Sequence, residues 1–323
     1  MGTIHSHGRF RTHPSPANTP DGQKNFDDYP KKKPWRESDP DKTEKIRQMI
    51  AARQQGELGI ICLNAGQGDA SIVLLPDGKI MVVDCNTDNS PDNIINILKD
   101  AGIKKIDYLI ITHPHRDHMS GTKDIADNFD VGEVWMTDFK RERNKESPES
   151  YAAYQEYVKA LGKLEKNGAT IRTPTASNEP IFKDGRLEIR SLGPSASVQG
   201  NNEDIHEESL VLQIKTGKTS AVFAGDTTNN QLDRICKYYT IEKTSFLHAP
   251  HHGSEEGANK DAMKQIQPDY TVISVGKGNP HGHPTSDAMK TYKDTTQETV
   301  YRTDRGSIIF RFDSEGNCLE KKQ

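Results

Sequence analysis

Cysteine is scarce and scattered in this chain of 323 residues. The four, Cys62, Cys85, Cys236 and Cys318, form no CxxC pair. That excludes a disulfide framework or a zinc ribbon and fits a reducing, cytoplasmic setting. Long apolar runs are missing too. None approaches the roughly 18 residues of a membrane span, and the opening MGTIHSHGRF lacks the apolar core of a secretory signal. Charge is nearly balanced at -4, so any affinity for a polyanion has to come from a local patch or a bound metal. Tryptophan occurs only at Trp35 and Trp135, too few to advertise an aromatic cage for a quaternary ammonium. The glycines of NAGQGDA, Gly66 and Gly68, are followed by nothing like GxxxxGK[ST]. A tight turn between strands therefore explains them better than a phosphate cradle.

What is present changes character along the chain. Residues 1–56 are rich in Pro, Asp, Lys and Asn and poor in aliphatics until IRQMIAA. Such a segment buries little, so a disordered or extended arm is expected, closed by a short helix near 41–54 and dispensable for folding. Lys31–Lys33 read as a solvated linker, and His5, His7 and His13 as terminal residues rather than ligands. From residue 57 to 323 one domain is expected. Strands are predicted at 58–63, 70–75, 80–84, 107–112, 132–136, 169–172, 187–191, 209–215, 219–224, 244–248, 270–274, 299–302 and 306–312. Helices are predicted at 91–100, 120–128, 149–166, 229–239, 258–266 and 285–294. The 149–166 helix would turn Tyr151, Tyr154, Val158 and Leu161 toward a core. Strands cluster early and late with helices between, which predicts packed sheets covered outside by helices.

Ligand chemistry gathers at strand exits. After the apolar run IDYLII comes HPHRDH, with His113, His115, Asp117 and His118. A strand exit can aim successive side chains into one cleft, which a regular helix at these spacings cannot. Four such groups exceed what one catalytic zinc accepts beside a water and further ligands, so two neighbouring metals fit better. Asp226 ends SAVFAGD and either bridges two metals or caps the helix starting near Thr228. TSFLHAPHHGS supplies His248, read as a hydrogen-bonded core histidine, and the pair His251 and His252. One of that pair reaches a metal and the other faces substrate, because neighbouring side chains diverge. Asp84, ending IMVVD, is expected to anchor the metal loop by hydrogen bonds.

HxHxDH, a later GD and then HHGS resemble the metallo-β-lactamase superfamily of hydrolases. LNAGQGDASIVLLPDGKIMVVDCN, YTVISVGKGNPHGHPTSDAM and VYRTDRGSIIF narrow the likeness to the metallo-hydrolase domain of ComEC/Rec2-type DNA-uptake proteins. The resemblance spans about residues 58–312 and implies an αββα sandwich of two packed mixed sheets. It implies two divalent cations, zinc foremost with manganese the alternative. His113 and His115 would hold the first; Asp117, His118 and His251 the second; Asp226 would bridge. His206 would complete the first site, with Glu207 or Glu208 as substitutes. Asp117, His252 and His283 are the implied catalytic residues, His283 touching phosphate or protonating a leaving group. Two cations about 3.5–4 Å apart activate a shared hydroxide and hold the attacked centre. The implied reaction is phosphodiester hydrolysis, with DNA the favoured substrate. A small-substrate phosphoesterase acting on a cyclic nucleotide or phosphocholine ester is the alternative, and a partner-binding or sensing module with a structural metal the third reading. Unlike in the DNA-uptake proteins, no apolar run here is expected to form a membrane channel, and the segment 138–180 looks expanded. KRERNK (140–145), Lys277 and Arg302 are candidate phosphate grips.

Overall fold

The computed structural model describes residues 39–323 apart from 54, 89, 202, 240 and 242. The readings made for His5, His7, His13, Lys31–Lys33 and Trp35 lie outside the described residues. Strands β1 (Leu58–Cys62), β2 (Ala70–Leu74), β3 (Ile80–Cys85), β4 (Lys105–Ile111), β5 (Asp130–Met136) and β6 (Thr170–Arg172) build one sheet. A second sheet follows from β7 (Phe182–Asp184), β8 (Leu187–Gly193), β9 (Val211–Thr216), β10 (Thr219–Phe223), β11 (Phe246–His248), β12 (Tyr270–Ile273) and β13 (Thr299–Arg302). The chain then returns: β14 (Ile308–Phe312) pairs antiparallel with β1, and β15 (Cys318–Lys322) edges it. Both sheets are mixed. β1 to β3 and β8 to β10 run antiparallel, whereas β3 to β6 and β10 to β13 run parallel.

Period two within the strands decides which layer each side chain joins. In β4, Tyr108 and Ile110 point to the core between the sheets, while Leu109 and Ile111 point outward under helices. Phe223, Phe246, Phe310 and Phe312 fill the inter-sheet core from both halves. The outer face of the first sheet is covered by helices α1 (Pro40–Ala51), α2 (Ile94–Asp100), α4 (Thr122–Asn128) and α5 (Pro148–Lys166), with the single turn α3 (Arg116–Met119) between α2 and α4. The second sheet is covered by α6 (Asn229–Tyr238), α7 (Lys260–Ile266) and α8 (Ser286–Thr295), which bury Leu232, Ile235, Met263, Ile266 and Tyr292. The order helix, sheet, sheet, helix is the αββα sandwich the resemblance implies. Among the described residues no helix is long and apolar enough to cross a membrane.

Three expectations change. α1, capped by Asp39 with Pro40 in its first turn, buries Ile46 and Ile50 completely. The packed body therefore starts before residue 57, because two isoleucines four apart give even this polar segment an apolar stripe. In α5 the buried stripe is Ser150, Tyr157, Ala160 and Leu164, and Val158 is 47% exposed. Tyr154 and Leu161 meet the same core partly buried, as expected, so the core-facing stripe is broader than expected and Val158 falls outside it. Strands β7 and β15 were not anticipated: both are short, polar and at sheet edges.

Candidate metal centre

The residues singled out for chemistry meet where β3, β4, β10 and β11 end. Asp84 closes β3 and accepts the backbone N–H of Thr112 (2.8 Å) and the Thr112 hydroxyl (2.8 Å). It thereby ties the HPHRDH segment to the neighbouring strand. Asp226 follows Gly225, whose φ is +51 and where a Cβ would stand 2.4 Å from Ser209 Oγ and 2.7 Å from Thr112 Cβ. Only glycine lets the Asp226 turn pass this close to both sheets. His251 N–H donates to Gly225 O (3.0 Å), bringing the HHGS segment beside Asp226. Backbone strain is concentrated here. Asp84, His251 and His252 all hold left-handed φ of 54, 50 and 52, each costing about 1–3 kcal/mol.

Two clusters share one wall. In the first, His113, His115, His206 and Asp226 each bring a ligand atom to a common point. His113 Nε2 lies 2.9 Å from His115 Nδ1 and 3.7 Å from Asp226 Oδ2. In the second, Asp117, His118 and His252 converge. His118 Nε2 lies 3.3 Å from Asp226 Oδ1, and His252 Nε2 lies 3.3 Å from Asp117 Oδ2 and 3.6 Å from Asp226 Oδ2. Asp226 thus stands between the clusters, with Oδ1 toward His118 and Oδ2 toward both His113 and His252.

The histidine that lies beside Asp117 and His118 is His252. His251 Nε2 stays 3.9 Å from Asp226, and its ring lies tilted against His206 at 4.5 Å and edge-on to His283 at 5.9 Å. With both residues left-handed, the backbone turns His252 inward and His251 across the mouth. His206 is brought in as expected. Its possible substitutes are engaged elsewhere, Glu207 with Arg234 and Glu208 with the Gly200 N–H. His248 behaves as the core histidine expected, stacked on Phe223 and bonded to Ser274 Oγ at 2.9 Å.

Electrostatics separate the imidazoles. Burial, with His118 and His206 nearby, pushes His113 and His115 well below the ordinary histidine range. Burial also holds His251 at about 3 and His283 at about 4. Burial opposes charge on His118 and His252 as well, but Asp226 together with Asp84 or Asp69 outweighs it and raises both well above the ordinary value. Burial would raise Asp226, yet His252, His118, His251 and His113 hold it well below the carboxylate range.

These residues fit divalent cations. Both oxygens of Asp117, both of Asp226 and His118 Nε2 are buried and carry no hydrogen bond, a costly arrangement unless another partner sits among them. His118 Nδ1 is 2.8 Å from Asp84 Oδ2, which directs its Nε2 lone pair inward as a metal-binding histidine requires. Carboxylate and imidazole donors without thiolate suit zinc or manganese.

Other expectations are revised. Arg141, from KRERNK, is 5% exposed, paired with Glu146 and donating to Pro114 O at 3.0 Å. It braces the ligand loop and is not open to grip phosphate. Arg302 is tied to Asp304 at 2.6 Å. Lys277 is exposed beside Gly276, whose N–H meets Gln67 Oε1 at 3.1 Å. Asp69, read only as part of a turn, lies 3.4 Å from His252 Nδ1. Its signal in the sequence was an aspartate directly after a glycine turn, at the start of a strand.

A four-layer sandwich with this histidine and aspartate centre defines the class: the chain belongs to the metallo-beta-lactamase superfamily of metal-dependent hydrolases, whose family model matches residues 63–277. It is 23% identical over 275 residues to ComE operon protein 3 of Bacillus subtilis (strain 168), covering 80% of this chain and 33% of that protein. It is 24% identical over 247 residues to Recombination protein 2 of Haemophilus influenzae, covering 74% of this chain and 27% of the relative. The chain thus spans a third or less of these relatives' lengths. Among solved structures, zinc-bound PqqB from Methylobacterium extorquens shares 12% identity with a TM-score of 0.47, over 79% of this chain and 99% of that one.

Proposed function

We propose that this protein hydrolyses phosphodiester bonds, with DNA as its substrate, at a centre of two divalent cations, zinc foremost. One observation carries the two-cation reading. Both oxygens of Asp117, both of Asp226 and His118 Nε2 are buried without a hydrogen bond in one cluster of ligand-type groups. Buried acceptor atoms left without partners are strongly unfavourable, and cations seated among them would supply the missing partners. His113, His115, His206 and Asp226 would hold the first cation; Asp117, His118, His252 and Asp226 the second. When bound, such a pair acidifies water and polarises the phosphoryl oxygens.

The chain's own residues supply the rest. Asp84 and Thr112 fix the ligand loop. His251 and His283, both held neutral near pH 7 by burial, stand beside the first cluster and face one another. His283 is positioned by Asn279, which accepts its N–H at 3.1 Å and donates to its carbonyl at 2.6 Å. We assign it to contact phosphate or pass a proton to the leaving oxygen. The DNA assignment draws on the likeness to a relative named for recombination and on exposed Lys277, which follows the Gly276 bonded to Gln67. A reducing compartment belongs to the same proposal, since the four cysteines are free thiols.

The test is metal analysis of purified protein followed by hydrolysis of single- and double-stranded DNA, RNA, cyclic dinucleotides, a phosphocholine ester and nitrocefin. Two cations per chain with DNA cleavage are expected. Well-metallated protein that leaves every nucleic acid intact while cleaving a cyclic dinucleotide or phosphocholine ester would replace DNA with that substrate.

A further inference from the structure

Asp69 has no place in the ligand sets just given, yet it is 3% exposed and faces three imidazoles. His252 Nδ1 is 3.4 Å from its Oδ1; His248 Nδ1 and His118 Nδ1 are 3.7 and 3.9 Å from its Oδ2. The carboxylate is aimed, because its backbone is clamped at both ends. Asp69 N–H donates to Asp117 O (3.0 Å) and Asn86 N–H donates to Asp69 O (2.8 Å). At the preceding Gly68 a Cβ would stand 2.4 Å from Asp117 O, so this glycine is what lets the turn lie against the ligand loop. The backbone that positions Asp69 is thus fastened to the segment that supplies Asp117.

We infer that Asp69 is a positioning residue for the second cation position, fixing the ring orientation and tautomer of His252. The inference rests on the two-cation reading above. His252 Nδ1 faces two acceptors, Ser274 O at 3.0 Å and Asp69 Oδ1 at 3.4 Å. With a cation held between Asp117 and Asp226 on Nε2, the proton would stay on Nδ1, where Ser274 O and Asp69 hold it. His248 completes the frame: its Nε2 bonds Ser274 Oγ at 2.9 Å while its Nδ1 faces Asp69. The second position consequently has two matched supports, Asp84 behind His118 and Asp69 behind His252. A buried carboxylate there also makes each imidazole a stronger donor to a cation.

The experiment is a Co²⁺ titration of the whole chain, followed by visible absorption, in wild type, Asp69→Asn and Asp69→Ser. Asparagine keeps the shape and removes the charge; serine is the second variant should asparagine disturb folding, which circular dichroism monitors. Either folded variant should take the first Co²⁺ normally, bind the second about 10–100-fold more weakly, and show an altered visible band. A folded Asp69→Asn or Asp69→Ser variant that binds both ions with wild-type affinity and spectrum overturns the role of Asp69 and leaves the two-cation reading standing. Wild type that binds fewer than two Co²⁺ overturns both.

Discussion

His251 and His252 share a side chain, a left-handed backbone and near-complete burial, yet their surroundings differ in charge. Asp226 and Asp69 flank His252, whereas His206 and His283 flank His251. His252→Ala should lose one cation per chain by elemental analysis. His251→Ala should keep both and lose turnover. Asp226→Asn should abolish hydrolysis while the fold persists, because an amide cannot offer an anionic oxygen to each cluster; activity assays beside circular dichroism decide this. His283→Ala should retain both cations and slow turnover by about 10²–10⁴-fold if it serves as a general acid. The ligand loop was legible in the sequence because His113, His115, Asp117 and His118 fall within six positions at a strand exit. The choice between His251 and His252 was not, since it depends on two positive φ angles that no residue type there announces. Asp69 was hidden differently: its partner His252 is 183 positions away, and only the stacking of the two sheets brings them together.

Among the elements, α1 and α5 show how polarity misleads. α1 has ten further residues around Ile46 and Ile50, so its composition resembles the arm before it. Those two isoleucines nevertheless reach the core under the first sheet. Ile46→Ala or Ile50→Ala should each cost about 2–5 kcal/mol in chemical denaturation, and a chain starting at residue 57 should melt below one starting at residue 39. In α5, Leu164→Ala should cost a similar amount, whereas Val158→Ala should stay within about 0.5 kcal/mol. The strands were easier to find because those buried on both faces, such as β1, β3 and β10, read as short continuous apolar runs. Edge strands β7 and β15 have only one paired side and tolerate Lys, Asp and Glu, which erased the alternation that would mark them.

On the scale of the whole molecule, the buried carboxylates make stability and metal loading one quantity. Chelation should lower the melting temperature, and restoring zinc at 100 times its Kd should return about 2.7 kcal/mol per site; calorimetry with and without chelator measures it. The return of β14 to β1 has a further consequence for a polypeptide made from one end. Leu58 is set against Phe312 and Cys62 against Ile308, so during synthesis β1 waits with one open edge for some 250 residues. Helices and hairpins of the first sheet can form early, but the sheet closes only after the last strands leave the ribosome. Arrested nascent chains ending before residue 308 should remain open to protease, and protection should arrive in one step once β14 has emerged.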